Sequence, residues 1–113
     1  SRLKGYVRDK LVLQQSTIEK VNKMQIYNEA GEFQAFAGVH VVKMRKQKGE
    51  LIPKHSHPKE NIVFNAISGK VKMTIGQEDY LVESGMSLAF DGDTTISGEF
   101  LEDGEVAVVL IQK

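Results

Sequence analysis

His55 and His57, separated by Ser56 alone, are the part of this 113-residue chain best suited to chemistry. Two neutral imidazoles bring two nitrogen lone pairs, and side chains at i and i+2 of an extended strand leave on the same side of a sheet. One divalent ion can take both, and imidazole suits Zn, Fe, Ni, Cu and Mn centres. A His-x-His pair alone is a weak signal. Its setting strengthens it here: Pro53 and Pro58 bracket the pair, Gly49 precedes it, and an apolar run from Ile62 to Ile67 follows and closes at Ser68-Gly69.

Other chemistry is sparse. His40 is the only further histidine. It alternates with Val39 and Val41, so it faces solvent or a partner if those valines are core. It enters the interior as a third imidazole if the strand is reversed. Lys54 and Lys59 flank the pair and can attract an anionic substrate, or are two solvated loop lysines. Tyr80, Phe64, Phe90, Met73 and Met86 can line a ligand cavity, although at strand spacing they read first as core. There is no Gly-x-Ser-x-Gly elbow and no phosphate loop. There is also no cysteine, which excludes thiol chemistry, thiolate metal sites and disulfides.

The elements that must hold the histidines are strands. From about residue 33 onward the pattern has period two or short apolar runs, broken by turn residues. Phe33 to Met44 reads as one strand. Ile62 to Ile67 is another. The clearest alternation follows, with Val71, Met73 and Ile75 facing one way and Lys70, Lys72 and Thr74 the other. Tyr80 to Val82 returns from a turn at 76–79, Ser87 to Phe90 comes next, and Thr95 to Leu101 and Val106 to Ile111 complete the set. The last run is apolar on both faces, which suits a central strand or a dimer interface. Short strands joined by hairpin-length turns, with no helices between them, predict an antiparallel sandwich or barrel. Residues 1–32 are expected to form an N-terminal arm or short helix and a first strand, and 33–113 the barrel of a single domain. Ser16-Thr17-Ile18-Glu19 has the form of a capping box, predicting a short helix near 17–24.

Composition bounds the function. A chain of this length fits one domain with a modest core, so pairing with a second copy is a natural way to cover apolar surface. Hydrophobic content of 41% and charge of 27% are ordinary for a globular protein. No apolar run approaches the ~20 residues that span a bilayer. No secretory leader is expected from the N-terminal residues, and the lack of cysteine fits a reducing cytoplasm. Fifteen basic and fifteen acidic residues cancel, but unevenly. Residues 1–72 hold 14 of the basic side chains and 6 acids, whereas 73–113 hold Lys113 against 9 acids. Strands from both halves that interleave in a barrel would mix these charges, so neither a nucleic-acid nor a membrane partner is expected.

The stretch Gly49–Gly69 resembles the first motif of the cupins: a glycine, five residues, His-x-His, three or four residues, a glutamate, about six residues and a glycine. Gly49, His55, His57 and Gly69 match, and the hairpin from Lys70 through Gly76 to Gly85 falls where cupins place two strands. The resemblance covers roughly residues 39–111 and implies an all-β antiparallel double-stranded β-helix, or jelly-roll barrel. It also implies metal ligands at His55, His57 and the position four residues after His57, which is Asn61. Glu60 is adjacent but, on a regular strand, points to the opposite face from Asn61. The spacing from Asn61 to Gly69 is one residue longer than the motif, so a bulge could re-aim one of them. The second cupin motif, counted from Gly85, requires proline at Asp91, glycine at Asp93 and histidine at Ile96, and none matches.

Three readings of the pair follow. The histidines hold a divalent metal (Fe, Mn, Ni, Cu or Zn) with Asn61, or with Asp91 or Asp93 from a loop over the mouth. Alternatively they line a metal-free pocket for a small molecule, or they are relics on a polar rim. Two function classes follow in turn: a small-molecule-binding barrel with a partial metal site, and a metal-dependent enzyme of the cupin dioxygenase or isomerase sort. The resemblance adds the expectation of a homodimer.

Overall fold

The computed structural model describes residues 24–113; the helix expected near 17–24 lies outside them but for Met24. Nine strands follow in order: β1 (Gly31–Phe36), β2 (Val39–Lys46), β3 (Leu51–His55), β4 (Glu60–Ser68), β5 (Lys70–Ile75), β6 (Glu78–Glu83), β7 (Ser87–Asp91), β8 (Ile96–Phe100) and β9 (Gly104–Gln112). They form two antiparallel sheets with strand orders β1-β2-β9-β4-β7 and β3-β8-β5-β6. Apart from the β1–β2 and β5–β6 hairpins, each strand is followed by one in the other sheet, and each sheet buries one face against the other. That is the antiparallel barrel the alternation predicted, in the double-stranded β-helix form the resemblance implied. Among the described residues no helix is long and apolar enough to cross a membrane.

The core lies between the sheets. Val71 and Met73 of β5 are fully buried while Lys72 is exposed, as the alternation required. Ile62 and Phe64 of β4, Val82 of β6 and Phe100 of β8 fill the same layer. β9, apolar on both faces, lies at the centre of the five-stranded sheet between β2 and β4. The charges interleave across the chain's two halves: Arg45 pairs with Glu105 at 2.6 Å, and Lys70 sits 3.7 Å from both Glu83 and Glu102.

Two local expectations are corrected. Phe33 to Met44 is not one strand but two, folded into a hairpin at Ala37-Gly38. Gly38 takes φ +75°, a left-handed backbone that glycine adopts without steric cost, and this is the turn signal that the apolar run hid. His57 is not on the same strand as His55. Strand β3 ends at His55, and His57 lies in the connection that precedes β4.

Candidate functional site

Three connections converge where the histidines lie: the β1–β2 hairpin, the β3–β4 loop and the β7–β8 turn. Their positions follow from register. Ile52 is buried opposite Gly98, and His55 is paired with Ile96, so three residues on β3 span what two span on β8. This bulge changes the strand's phase, so that both Ile52 and His55 stand opposite inward positions of β8. A regular strand would have turned His55 away. Beyond it, the His57 amide donates to the Gly92 carbonyl at 2.8 Å, and the Gly92 amide donates to the Glu60 carbonyl at 2.8 Å. The β7–β8 turn thereby clamps the loop that carries the second histidine.

The two rings meet edge to face with centroids 4.8 Å apart. His55 Nδ1 lies 2.6 Å from the Pro53 carbonyl oxygen, which can only accept, so Nδ1 is the donor in this contact and the neutral ring would offer Nε2 as its acceptor. His57 Nδ1 faces Glu60 Oε1 at 3.4 Å, with both side chains about three-quarters covered. Glu60 is the residue that a strict motif count passes over. Ile62, Phe64 and Ala66 share its parity and are buried, so it leaves β4 on the inner face.

Asn61 leaves on the other face and is exposed, so β4 does not carry it toward the histidines. The extra residue between Asn61 and Gly69 is absorbed by a register shift between Ala66 and Ser68, where Ile67 is extruded. That bulge, at Ile67, lies downstream and leaves the parity at Asn61 unchanged.

His40 is settled by its neighbours. Val42 and Met44 pack against the core, so His40, sharing their parity, stands on the inner side at the strand's end. Its Nδ1 faces Glu32 Oε2 at 3.4 Å. His40 and His57 both border a cavity of about 480 Å³, with Glu60, Lys59, Gln34 and Gln112 completing its polar wall. The two glutamines gave no motif signal; they enter through register, Gln34 opposite His40 and Gln112 opposite Glu60. Phe64 and Met73 are core, whereas Tyr80 and Met86 are partly exposed away from this mouth, and Lys54 is exposed on β3.

Asp91 and Asp93 are engaged elsewhere. Lys113 Nζ lies 2.9 and 3.2 Å from the Asp91 oxygens and 3.1 Å from Asp93 Oδ2. The Asp93 amide donates to Asp91 Oδ1 at 2.8 Å, and with the Lys113 ammonium it holds the Asp91 carboxyl below the ordinary value of 3.8. A depressed folded pKa contributes stability above the unfolded value, and that contribution is lost as pH falls through the folded one. Asp91→Asn is therefore expected to flatten the fall in melting temperature below about pH 4 relative to the parent chain. Equal acid slopes in the two proteins would show that this turn contributes nothing. The same contacts raise Lys113 above 10.5, so its share persists until strongly alkaline pH.

The resident metal of a four-ligand cupin site does not fit this donor set. His55 and His57 are two imidazoles, but Asn61 points away and Ile96, opposite His55, is apolar and buried. Among the described residues no three His, Asp or Glu side chains converge as metal donors.

A two-sheet β-helix with a histidine pair at its mouth defines a class, and comparison bears it out. Residues 42–111 match the model of the cupin domain, Cupin_2. The chain belongs to the cupin family. Solved structures agree in fold. A cupin protein, BF4112, from Bacteroides fragilis is 24% identical with a TM-score of 0.66, over 84% of this chain and 85% of that one. KdgF from Halomonas sp. is 14% identical with a TM-score of 0.65, over 73% and 79%. The Cupin_2 domain of an XRE family transcriptional regulator from Enterobacter cloacae is 14% identical with a TM-score of 0.63, over 73% and 95%. At these identities the likeness is one of fold alone. No curated protein matches the sequence.

Proposed function

We propose that this barrel binds a small polar molecule at the mouth bordered by His40, His57 and Glu60, without a resident metal. One observation carries the reading: two imidazoles, a carboxylate, an ammonium and two primary amides converge on one open cavity of about 480 Å³. Pockets of ~300–1,000 Å³ with a few convergent polar groups are the ordinary form of ligand sites. Each group has a defined task. Both cavity histidines turn Nδ1 toward a carboxylate, so the neutral tautomer offers Nε2 as an acceptor for a ligand hydroxyl or N–H. Glu60 accepts, Gln34 and Gln112 donate and accept, and Lys59 supplies a positive rim for an anionic group. This wall suits a hydroxylated or zwitterionic molecule better than a hydrocarbon.

The test is a thermal-shift screen of small hydroxy acids, amino acids and amides, paired with elemental analysis of untagged protein dialysed without chelator. At least one compound is expected to raise the melting temperature by several degrees, since saturation at 100 Kd adds ~2.7 kcal/mol. That shift should vanish in His57→Ala and in Glu60→Gln. Metal content should be far below stoichiometric. Near-stoichiometric Fe, Mn, Ni, Cu or Zn, lost in a His55→Ala/His57→Ala double variant, would instead install the metal-dependent enzyme reading.

A further inference from the structure

A second cavity lies against the other face of the five-stranded sheet. Val42 and Met44 of β2 pack inward, so Lys43 and Arg45 leave on the outer face. The arm ahead of β1 stands beside them, and between arm and sheet is a cavity of about 420 Å³. It shares no lining residue with the mouth at His40 and His57. His40 and Arg45 lie roughly 16 Å apart along β2 and on opposite faces, so the two cavities are independent.

The walls of this cavity are tied to the sheet. The Tyr27 ring stacks on Phe33 with centroids 3.6 Å apart, and Lys43 Nζ donates to the Tyr27 carbonyl at 2.6 Å. Gln25 Nε2 donates to the Ala35 carbonyl at 3.1 Å, which fixes the same arm a second time. Arg45 Nε donates to Glu105 Oε2 at 2.6 Å, so the guanidinium is held at the cavity's edge. Ala107 forms the floor, a short side chain between Lys43 and Asn65 in register. Beyond it the bulge in β4 leaves Ile67 53% exposed, its carbonyl held by the Ser84 hydroxyl at 2.9 Å.

The lining offers three chemistries at once: cations at Lys43 and Arg45, a carboxylate at Glu29, and an apolar side at Ile67 and Ala107. A simple anion would gain the cations but meet Glu29 and Glu105, and a simple cation would meet the reverse. A hydrocarbon would desolvate all four charges with nothing in return. A zwitterion with an apolar body complements every wall. We infer that this cavity is a second ligand site, for a free α-amino acid with an apolar side chain. Its carboxylate accepts from Lys43 and Arg45; an ammonium has three donors and a guanidinium five, and the contacts to Tyr27 and Glu105 use one of each. Its α-ammonium donates to Glu29, and its side chain lies over Ala107 against Ile67. Strand β9 separates β2 from β4, so the cations and Ile67 stand two strand spacings apart, ~10 Å, which leucine or phenylalanine spans.

Calorimetric titration of the full chain with L-phenylalanine and L-leucine at neutral pH tests this. Saturable binding of at least one of them is expected. 3-Phenylpropionate, which lacks the ammonium, and phenethylamine, which lacks the carboxylate, should each bind at least ~10-fold more weakly than phenylalanine. Ala107→Leu fills the floor and should abolish the binding. If that variant fails to fold, Arg45→Gln decides, because an exposed ion pair adds little to stability. It should weaken binding by at least ~10-fold. His57→Ala, in the other cavity, should leave the affinity within about twofold, which separates this site from the mouth. No saturable heat from either amino acid up to about 10 mM would overturn the assignment. So would equal affinity for 3-phenylpropionate, or binding that survives Arg45→Gln and is lost in His57→Ala.

Discussion

Replacing Gly92 by alanine is expected to lower stability by about 2–4 kcal/mol and to release the loop that carries His57. Gly92 sits between Asp91 and Asp93 in the turn from β7 to β8, and its φ is not in the left-handed region. The requirement is for space. A Cβ there would collide with the carbonyl oxygens of His57 and Glu60 and approach the His57 carbonyl carbon to 3.2 Å. Those two residues are also the ones hydrogen-bonded to the Gly92 backbone. The neighbours are main chain, so no flexible side chain can swing aside. Either the turn withdraws and both hydrogen bonds are lost, or the loop moves and the cavity wall between His57 and Glu60 deforms. Gly85 is the control: its Cβ would meet nothing, and φ +90° alone sets the cost of Gly85→Ala at ~1 kcal/mol. Urea unfolding with an unchanged m-value measures both. A Gly92→Ala protein within about 0.5 kcal/mol of the parent would mean that the turn does not anchor the site.

How much of this was legible follows from where pattern and register part company. The barrel was readable because period-two alternation is a property of single strands, and Val71, Met73 and Ile75 against Lys70, Lys72 and Thr74 declare the dry face without a partner. The hairpin at Ala37-Gly38 was missed because its flanks are apolar enough to merge Phe33–Phe36 with Val39–Val42 into one run. The site was only half legible. His55 and His57 come together as their spacing implied, but through a bulge and a loop, not one regular strand. Glu60 could have been preferred to Asn61 from parity with Ile62, Phe64 and Ala66. Motif counting concealed this, because the extra residue before Gly69 belongs to a bulge at Ile67 and not to the ligand position. Gln34, Gln112 and the inward placement of His40 depend on long-range register, which no local pattern encodes.

Ile96→His is expected to strengthen divalent-metal binding at the histidine pair, and so tests why the four-ligand site does not assemble. Counting from Gly85 assigned Ile96 to the missing second-motif histidine, and register places it as the cross-strand partner of His55. Directly opposed residues on one face have Cβ atoms ~4.5–5.5 Å apart, within reach of two imidazoles on one ion. Ile96 is 5% exposed and packs in the core, so an unliganded histidine there should cost about 2–4 kcal/mol through lost packing and a buried polar ring. Zinc should return that loss. The third imidazole joins His55, whose Nδ1 proton is already held by the Pro53 carbonyl, and His57. Calorimetric titration with ZnCl₂ should then show binding at least ~100-fold tighter than in the parent, equivalent to ~2.7 kcal/mol. Adding His55→Ala to the variant should abolish the gain. A folded Ile96→His chain that binds zinc no better than the parent would place the obstacle elsewhere. The turn of Asn61 away from the pair, which leaves an ion without its fourth protein donor, would then be the feature that keeps a four-ligand site from assembling.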